Sequence, residues 1–133
     1  MSNYSEMLSV CLSLAGDLPK THGQHRFWCI ITDKKGRVIS QSGNSYSQTH
    51  PTQARYAKRV NQDDRVYLHA EISSLVKMRS TGHTLFVARM RNDHFPGSSK
   101  PCPICSLAIR EAGIKKVVYI DDNGEEVSMR IGG

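Results

Sequence analysis

Four side chains in this sequence have the types and spacing of a reaction centre: His69, Glu71, Cys102 and Cys105. The first pair lies in Leu68-His69-Ala70-Glu71-Ile72, the second in Lys100-Pro101-Cys102-Pro103-Ile104-Cys105. On a helix, positions i and i+3 lie on nearly the same side, so the sulfurs of Cys102 and Cys105 can meet one ion. Pro103 suits the first helical position, where no amide hydrogen bond is lost, which makes Cys102 the expected cap. Both thiolates then sit at the positive end of a helix dipole, which favours their ionised form. His69 and Glu71 would diverge by roughly 200° in mid-helix, given about 3.6 residues per turn. They converge on one pocket only if His69 stands at the helix start, before regular geometry begins.

Two thiolates and an imidazole match the three-ligand pattern of catalytic zinc, which leaves one position for water. Zn2+ held there lowers the pKa of that water towards neutrality. Glu71 is not needed as a ligand and is free to shuttle protons. Other readings use the same residues. A Cys-x-x-Cys alone also serves structural zinc or a redox pair, and a closed structural site would need a fourth ligand, for which His94 is the nearest candidate. His22 and His25 have a spacing that a metal could use, but with no other ligand nearby in sequence a solvated loop is the plainer reading.

The elements that must position these groups follow from the hydrophobic pattern. Residues 4–15 form an amphipathic helix, with Met7, Leu8, Cys11, Leu14 and Ala15 on one side and Gly16 and Pro19 as its stop. A polar connection from Thr21 to Arg26 leads to Phe27–Thr32, a strand apolar on both faces and therefore central. Asp33-Lys34-Lys35-Gly36 is a hairpin turn, and Val38–Gln41 returns. Residues 45–68 are the least regular part, although Pro51–Val60 can form a short helix with Arg55 and Arg59 on one face and Lys58 beside them. A helix follows from about His69 to Arg79, with Ile72, Leu75 and Val76 at core spacing. Then come a strand at Thr84–Ala88, a polar loop at Asn92–Lys100, and a helix from Cys102 with Ile104, Leu107 and Ala108 buried and Ala112-Gly113 as its end. Lys116–Ile120 is a third buried strand, and Glu125–Ile131 alternates like an antiparallel edge strand after the Asp121-Asp122-Asn123-Gly124 turn. Strand, helix, strand, helix, strand implies an α/β fold with parallel crossovers and a site at the C-terminal strand ends.

Composition sets the frame. The 133 residues fit one domain, 1–133, long enough to close a hydrophobic core. No apolar run approaches the roughly 20 residues of a membrane span, and the first residues carry no secretory pattern, so a cytoplasmic protein without a membrane partner is expected. Of the four cysteines, Cys11 and Cys29 stand singly in apolar surroundings and read as buried small hydrophobes. The formal charge of +6 favours anionic partners without choosing between a nucleotide and a polynucleotide.

On His69-Ala70-Glu71, Pro101-Cys102-Pro103-Ile104-Cys105 and Gly113-Ile114-Lys115-Lys116-Val117-Val118-Tyr119, the chain resembles the zinc-dependent cytidine and deoxycytidylate deaminase superfamily. The resemblance implies a three-layer α/β/α cytidine-deaminase-like fold, with a mixed five-stranded sheet ending in an antiparallel C-terminal strand. It assigns Zn2+ to His69, Cys102 and Cys105 and the proton shuttle to Glu71. Asn44 matches an asparagine that contacts substrate in the family, although a turn residue beside Gly43 is an equal reading of it. Ala70, Lys100 and Pro101 fall where relatives approach the base, and near Lys100 that contact is a backbone group. The implied chemistry is attack of an activated water on C4 of a cytosine ring, with Glu71 protonating N3 and helping ammonia leave. In an adenine enzyme the attack falls on C6.

The subfamily features are mixed. Ser73 stands where deoxycytidylate deaminases usually carry asparagine. The last strand folds straight back, as in free-nucleoside enzymes, yet Ser45-Tyr46-Ser47 does not supply their sugar-binding Asn-Glu pair, and those enzymes usually have three cysteine ligands. The leading expectation is a small-molecule cytosine nucleoside or nucleotide as substrate. A second is a base in single-stranded DNA or RNA, with Arg55, Lys58, Arg59, Arg65, Arg89 and Arg91 meeting phosphates. A third is a non-catalytic zinc-containing module that binds nucleic acid. Ser98, Ser99 and His94 read as a surface loop near the substrate. Relatives commonly assemble, so the resemblance implies a homo-oligomer.

Overall fold

A computed structural model describes residues 4–19, 26–45, 50–62, 68–93 and 95–131. Its elements in chain order are α1 (Glu6–Asp17), β1 (Arg26–Thr32), β2 (Val38–Gly43), α2 (Pro51–Arg59), α3 (Ala70–Lys77), β3 (Thr84–Met90), β4 (Pro96–Gly97), α4 (Pro103–Glu111), β5 (Lys116–Ile120) and β6 (Glu126–Arg130). The strands form one mixed sheet in the order β2-β1-β3-β5-β6, and the two-residue β4 adds to β3. The expected five-stranded core with its antiparallel final strand is present, since β6 pairs antiparallel with β5.

Strand alternation builds two apolar layers. Ile30, Ala88, Val118 and Ile120 face one side and pack against Leu8 and Cys11 of α1. Cys29, Ile31, Leu85, Val87, Val117 and Tyr119 face the other, beneath Tyr56 and Ala57 of α2, Ala70 and Ile72 of α3, and Ile104, Cys105, Ala108 and Ile109 of α4. Successive strand residues point to opposite faces, so one strand serves both layers. The result is α/β/α, as expected.

The crossover pattern differs from the sequence reading at one strand. β3 and β5 are parallel, but β1 is antiparallel to β3. The reason is the hairpin. β1 reverses into β2 through a turn in which the Asp33 carboxylate accepts the Lys35 and Arg37 amides and Gly36 takes a φ of +85°, a conformation that glycine adopts without a Cβ clash. The helical crossover therefore leaves from β2. β2 and β3 run the same way with β1 between them, and the C-terminal ends of β2, β3 and β5 share one edge.

Three local expectations also change. α1 continues through Gly16 to Asp17 and stops because Leu18, restricted by Pro19, is extended at ψ 143°. Arg26 belongs to β1 rather than to a polar connection, and it is buried. Its guanidinium donates to the carbonyls of Gly16 and Leu18 at the end of α1 and to that of Arg91. On α3 the core-facing side keeps Ile72 and Leu75, as expected, but not Val76. Val76 is exposed, while Ser73 and Ser74 are buried. Those hydroxyls meet partners on the sheet, Ser73 with Ser42 at 2.7 Å and Ser74 with the Cys29 carbonyl at 3.3 Å. Serine is tolerated there because its polar atom is satisfied.

Candidate metal centre

His69 and Cys102 each occupy the cap position of a helix. Both are extended, at φ −78°, ψ 153° for His69 and φ −71°, ψ 170° for Cys102. The first helical bonds begin at their carbonyls, which accept the Ser73 and Ser106 amides at 2.9 and 2.8 Å. Pro103 follows Cys102 at the start of α4, where a missing N–H costs nothing. Extended geometry at His69 lets its imidazole and the carboxyl of Glu71 serve one pocket.

The cluster is compact. His69 Nδ1 lies 3.3 Å from Cys105 Sγ and 3.6 Å from Cys102 Sγ, and the candidate ligand atoms all fall within 4.8 Å of one another. Zinc–sulfur and zinc–nitrogen bonds of about 2.3 and 2.05 Å at a tetrahedral angle put neighbouring ligand atoms about 3.6 Å apart. The donor set and its spacing fit Zn2+. Nδ1 is the nitrogen that faces the sulfurs.

Charge is arranged unevenly over the cluster. A hydrogen bond from the Cys105 thiol, helped by His69, brings the Cys102 thiol down to about 4. Burial pushes Cys105 well above the ordinary thiol range, and the ionised Cys102 beside it acts in the same direction. The two thiols are thus unequal, the ionised form being favoured at Cys102 and the protonated form at Cys105. Burial also raises the Glu71 carboxyl, against the opposing pull of His69. Glu71 is 5% exposed, and that burial disfavours the charged form of its carboxyl.

Two long-range contacts position His69. Leu68 C=O and His69 N–H belong to one peptide unit, and both ends are gripped. Ser45 N–H donates to the Leu68 carbonyl at 2.9 Å, and His69 N–H donates to Gln53 Oε1 at 3.1 Å. Gln53 is completely buried on α2. The Cys102 side is fixed by Ser99. Beyond the Phe86–Val118 pairing, β3 and β5 are joined through Ser99, whose hydroxyl donates to the Val87 carbonyl and accepts the Ile120 amide at 2.8 and 2.9 Å. The loop before Cys102 is therefore wedged between the parallel strand ends. Ser99 is fully buried, which corrects its reading as a surface-loop residue.

The remaining sequence candidates fall around this centre. Ala70 and Pro101 are buried and Lys100 is exposed. Asn44 closes the β1–β2 ladder, its Oδ1 accepting the Phe27 amide at 3.0 Å, and its neighbour Ser45 holds the Leu68 carbonyl. α2 forms as the sequence allowed, with Arg55 and Arg59 each 5.4 Å from the Tyr56 ring centre and Arg59 bonded to Glu111. Arg91 is paired with Asp93. His22, His25, Tyr46, Ser47, Arg65 and His94 lie outside the described residues. Sequence reasoning missed Gln53 and Arg26. The only local signal for Gln53 was a polar residue three places before the buried Tyr56-Ala57 pair.

Comparison with known proteins agrees with this arrangement. A family model described as the cytidine and deoxycytidylate deaminase zinc-binding region matches residues 1–121. A probable cytosine deaminase of Schizosaccharomyces pombe is 28% identical over 100 residues, which cover 75% of this chain and 49% of that protein. The chain spans about half the length of the curated relative it matches. Among the described residues no helix is long and apolar enough to cross a membrane.

Proposed function

Because the chain belongs to the cytidine and deoxycytidylate deaminase zinc-binding family, we propose that it hydrolyses the exocyclic amine of a cytosine nucleoside or nucleotide, giving the uracil product and ammonia. The observation that carries this reading is the convergence of His69, Cys102 and Cys105 within 4.8 Å beside a buried carboxyl that is not itself among the three ligands. Zn2+, when bound by those residues, lowers the pKa of a water and so supplies the nucleophile.

Glu71 carries the protons. It takes one from the attacking water as oxygen bonds to C4 and delivers it to N3, which turns the ring carbon tetrahedral. It then passes the second water proton to the exocyclic amine as the C4–N bond breaks. The C4 carbonyl forms, N3 keeps its proton, and ammonia leaves. A carboxyl held above its ordinary range by burial suits this work, because a general acid acts best when its pKa lies near the working pH. The Leu68–His69 peptide clamp and the Ser99 wedge keep the two ligand-bearing helix starts in register.

A surface that tracks a polynucleotide has less support. Of the basic residues expected to meet phosphates, Arg59 and Arg91 are paired with Glu111 and Asp93, which lowers the charge they offer a phosphate backbone. The Schizosaccharomyces pombe relative adds free cytosine to the substrate panel. The test is ammonia release and mass-spectrometric detection of the uracil product from cytosine, cytidine, deoxycytidine and their monophosphates. Zinc-loaded protein that converts none of them sinks the reading.

A further inference from the structure

We infer that Arg89 binds the phosphate of the substrate, which makes that substrate a cytosine nucleotide rather than a free nucleoside. The inference rests on the deaminase reading above and deepens it. Arg89 is the penultimate residue of β3 and lies at the sheet edge shared by the C-terminal ends of β2, β3 and β5. By strand alternation it leaves β3 on the same face as Leu85 and Val87, the face covered by α3 and α4. Phe27 is its partner across the β1–β3 ladder, and the guanidinium lies over that ring at 6.0 Å from its centre. The Phe27 amide is in turn held by Asn44. Phe27 packs against the cluster that contains Ala70 and Cys105.

Arg89 is half-buried, yet among the described residues no acid or carbonyl partners its charge. Its Nε is buried with no hydrogen bond, and among the described residues its side chain makes neither a hydrogen bond nor an ion pair. Arg26, also buried, has three carbonyls, while Arg37, Arg59 and Arg91 have acids. A half-buried guanidinium left unpaired is costly, and buried charges are ordinarily paired. The side chain is also held in place before any ligand arrives. Gly97 lies across from it in β4, and a Cβ there would come within 3.1 Å of Arg89 Cδ and Nε. The arginine stem thus lies in a cradle between the Phe27 ring and a glycine. A fixed, planar fork of donors at a substrate-facing edge matches a phosphate, the strongest anion a cytosine nucleotide offers.

The experiment measures binding to the zinc-loaded protein by calorimetry, with deamination rates alongside. The ligands are cytidine, cytidine and deoxycytidine 5′-monophosphates, and a trinucleotide with cytosine in the middle. Arg89→Gln is expected to weaken the monophosphates roughly 10- to 100-fold, the usual scale for hydrogen bonds to a charged group, and to leave cytidine within about twofold. Gly97→Ala, which presses on the arginine stem, should move the same ligands in the same direction, and Arg89→Lys should fall between. If the selective loss appears with the trinucleotide instead, the phosphate assignment stands and its source is a polymer. Equal weakening of cytidine and its monophosphate, or weakening of neither, overturns the assignment. Phosphate-dependent binding without ammonia from any ligand would instead refute the deaminase reading and leave Arg89 in place.

Discussion

Replacing Gln53 with methionine should loosen the metal centre without touching a ligand. The side chain keeps its length and its place in the core but loses the oxygen that accepts the His69 amide at 3.1 Å. Gln53 is completely buried, so little water can reach the abandoned donor. An unsatisfied buried amide costs about 1–3 kcal/mol. At about 1.4 kcal/mol per decade, that corresponds to roughly 5- to 150-fold if the whole cost falls on the ligand-bearing peptide. The span overlaps the 10- to 100-fold loss of metal affinity commonly seen when a group supporting a ligand is removed. The Ser45 contact to the Leu68 carbonyl remains, so the peptide is held from one side and the lower half of the range is expected. Zinc affinity would be read by competition with a chelator, and ligand geometry by the visible absorption of the cobalt-substituted protein. Gln53→Glu keeps an acceptor oxygen and should retain most of the affinity. If Gln53→Met lowered the melting temperature equally with and without zinc while the zinc Kd stayed within twofold, the clamp would be a folding contact only and the argument would be wrong.

Glu71→Gln should keep bound zinc and lose about 10²- to 10⁴-fold in kcat, the usual contribution of general acid–base catalysis, measured at equal metal content by atomic absorption and ammonia release. Zinc binding at pH 7 should release one thiol proton rather than two. Cys102, brought down to about 4, is already ionised there, while Cys105, pushed well above the ordinary range, must give up its proton to coordinate. Calorimetry in buffers of different ionisation enthalpy counts that proton, and a thiol contribution of two would refute the inequality of the two thiols. Ser99→Ala should destabilise the fold by about 1–3 kcal/mol, because the Ile120 amide loses its side-chain acceptor inside the protein. Denaturant unfolding reads this directly, and a loss below about 0.5 kcal/mol would show that the strand ends reclose without it.

The sequence alone determined which three side chains are candidates to hold a metal and the local form of their supports. Pro103 after Cys102, the i, i+3 cysteine spacing and the need for His69 to precede regular helix are short-range constraints, and the structure obeys them. Strand alternation likewise gave the sheet, because burial on two faces imposes a period that side-chain types reveal. Tertiary structure decided what polar side chains do at a distance. Gln53, Arg26 and Ser99 look like surface residues by type, and Val76 looks like core. Their roles depend on partners brought near by folding: the His69 amide for Gln53, the α1 carbonyls for Arg26, and two separating strands for Ser99. A buried polar group is stable only where such a partner waits. The same holds for the antiparallel β1, since the direction of a strand is set by which neighbour closes its ladder.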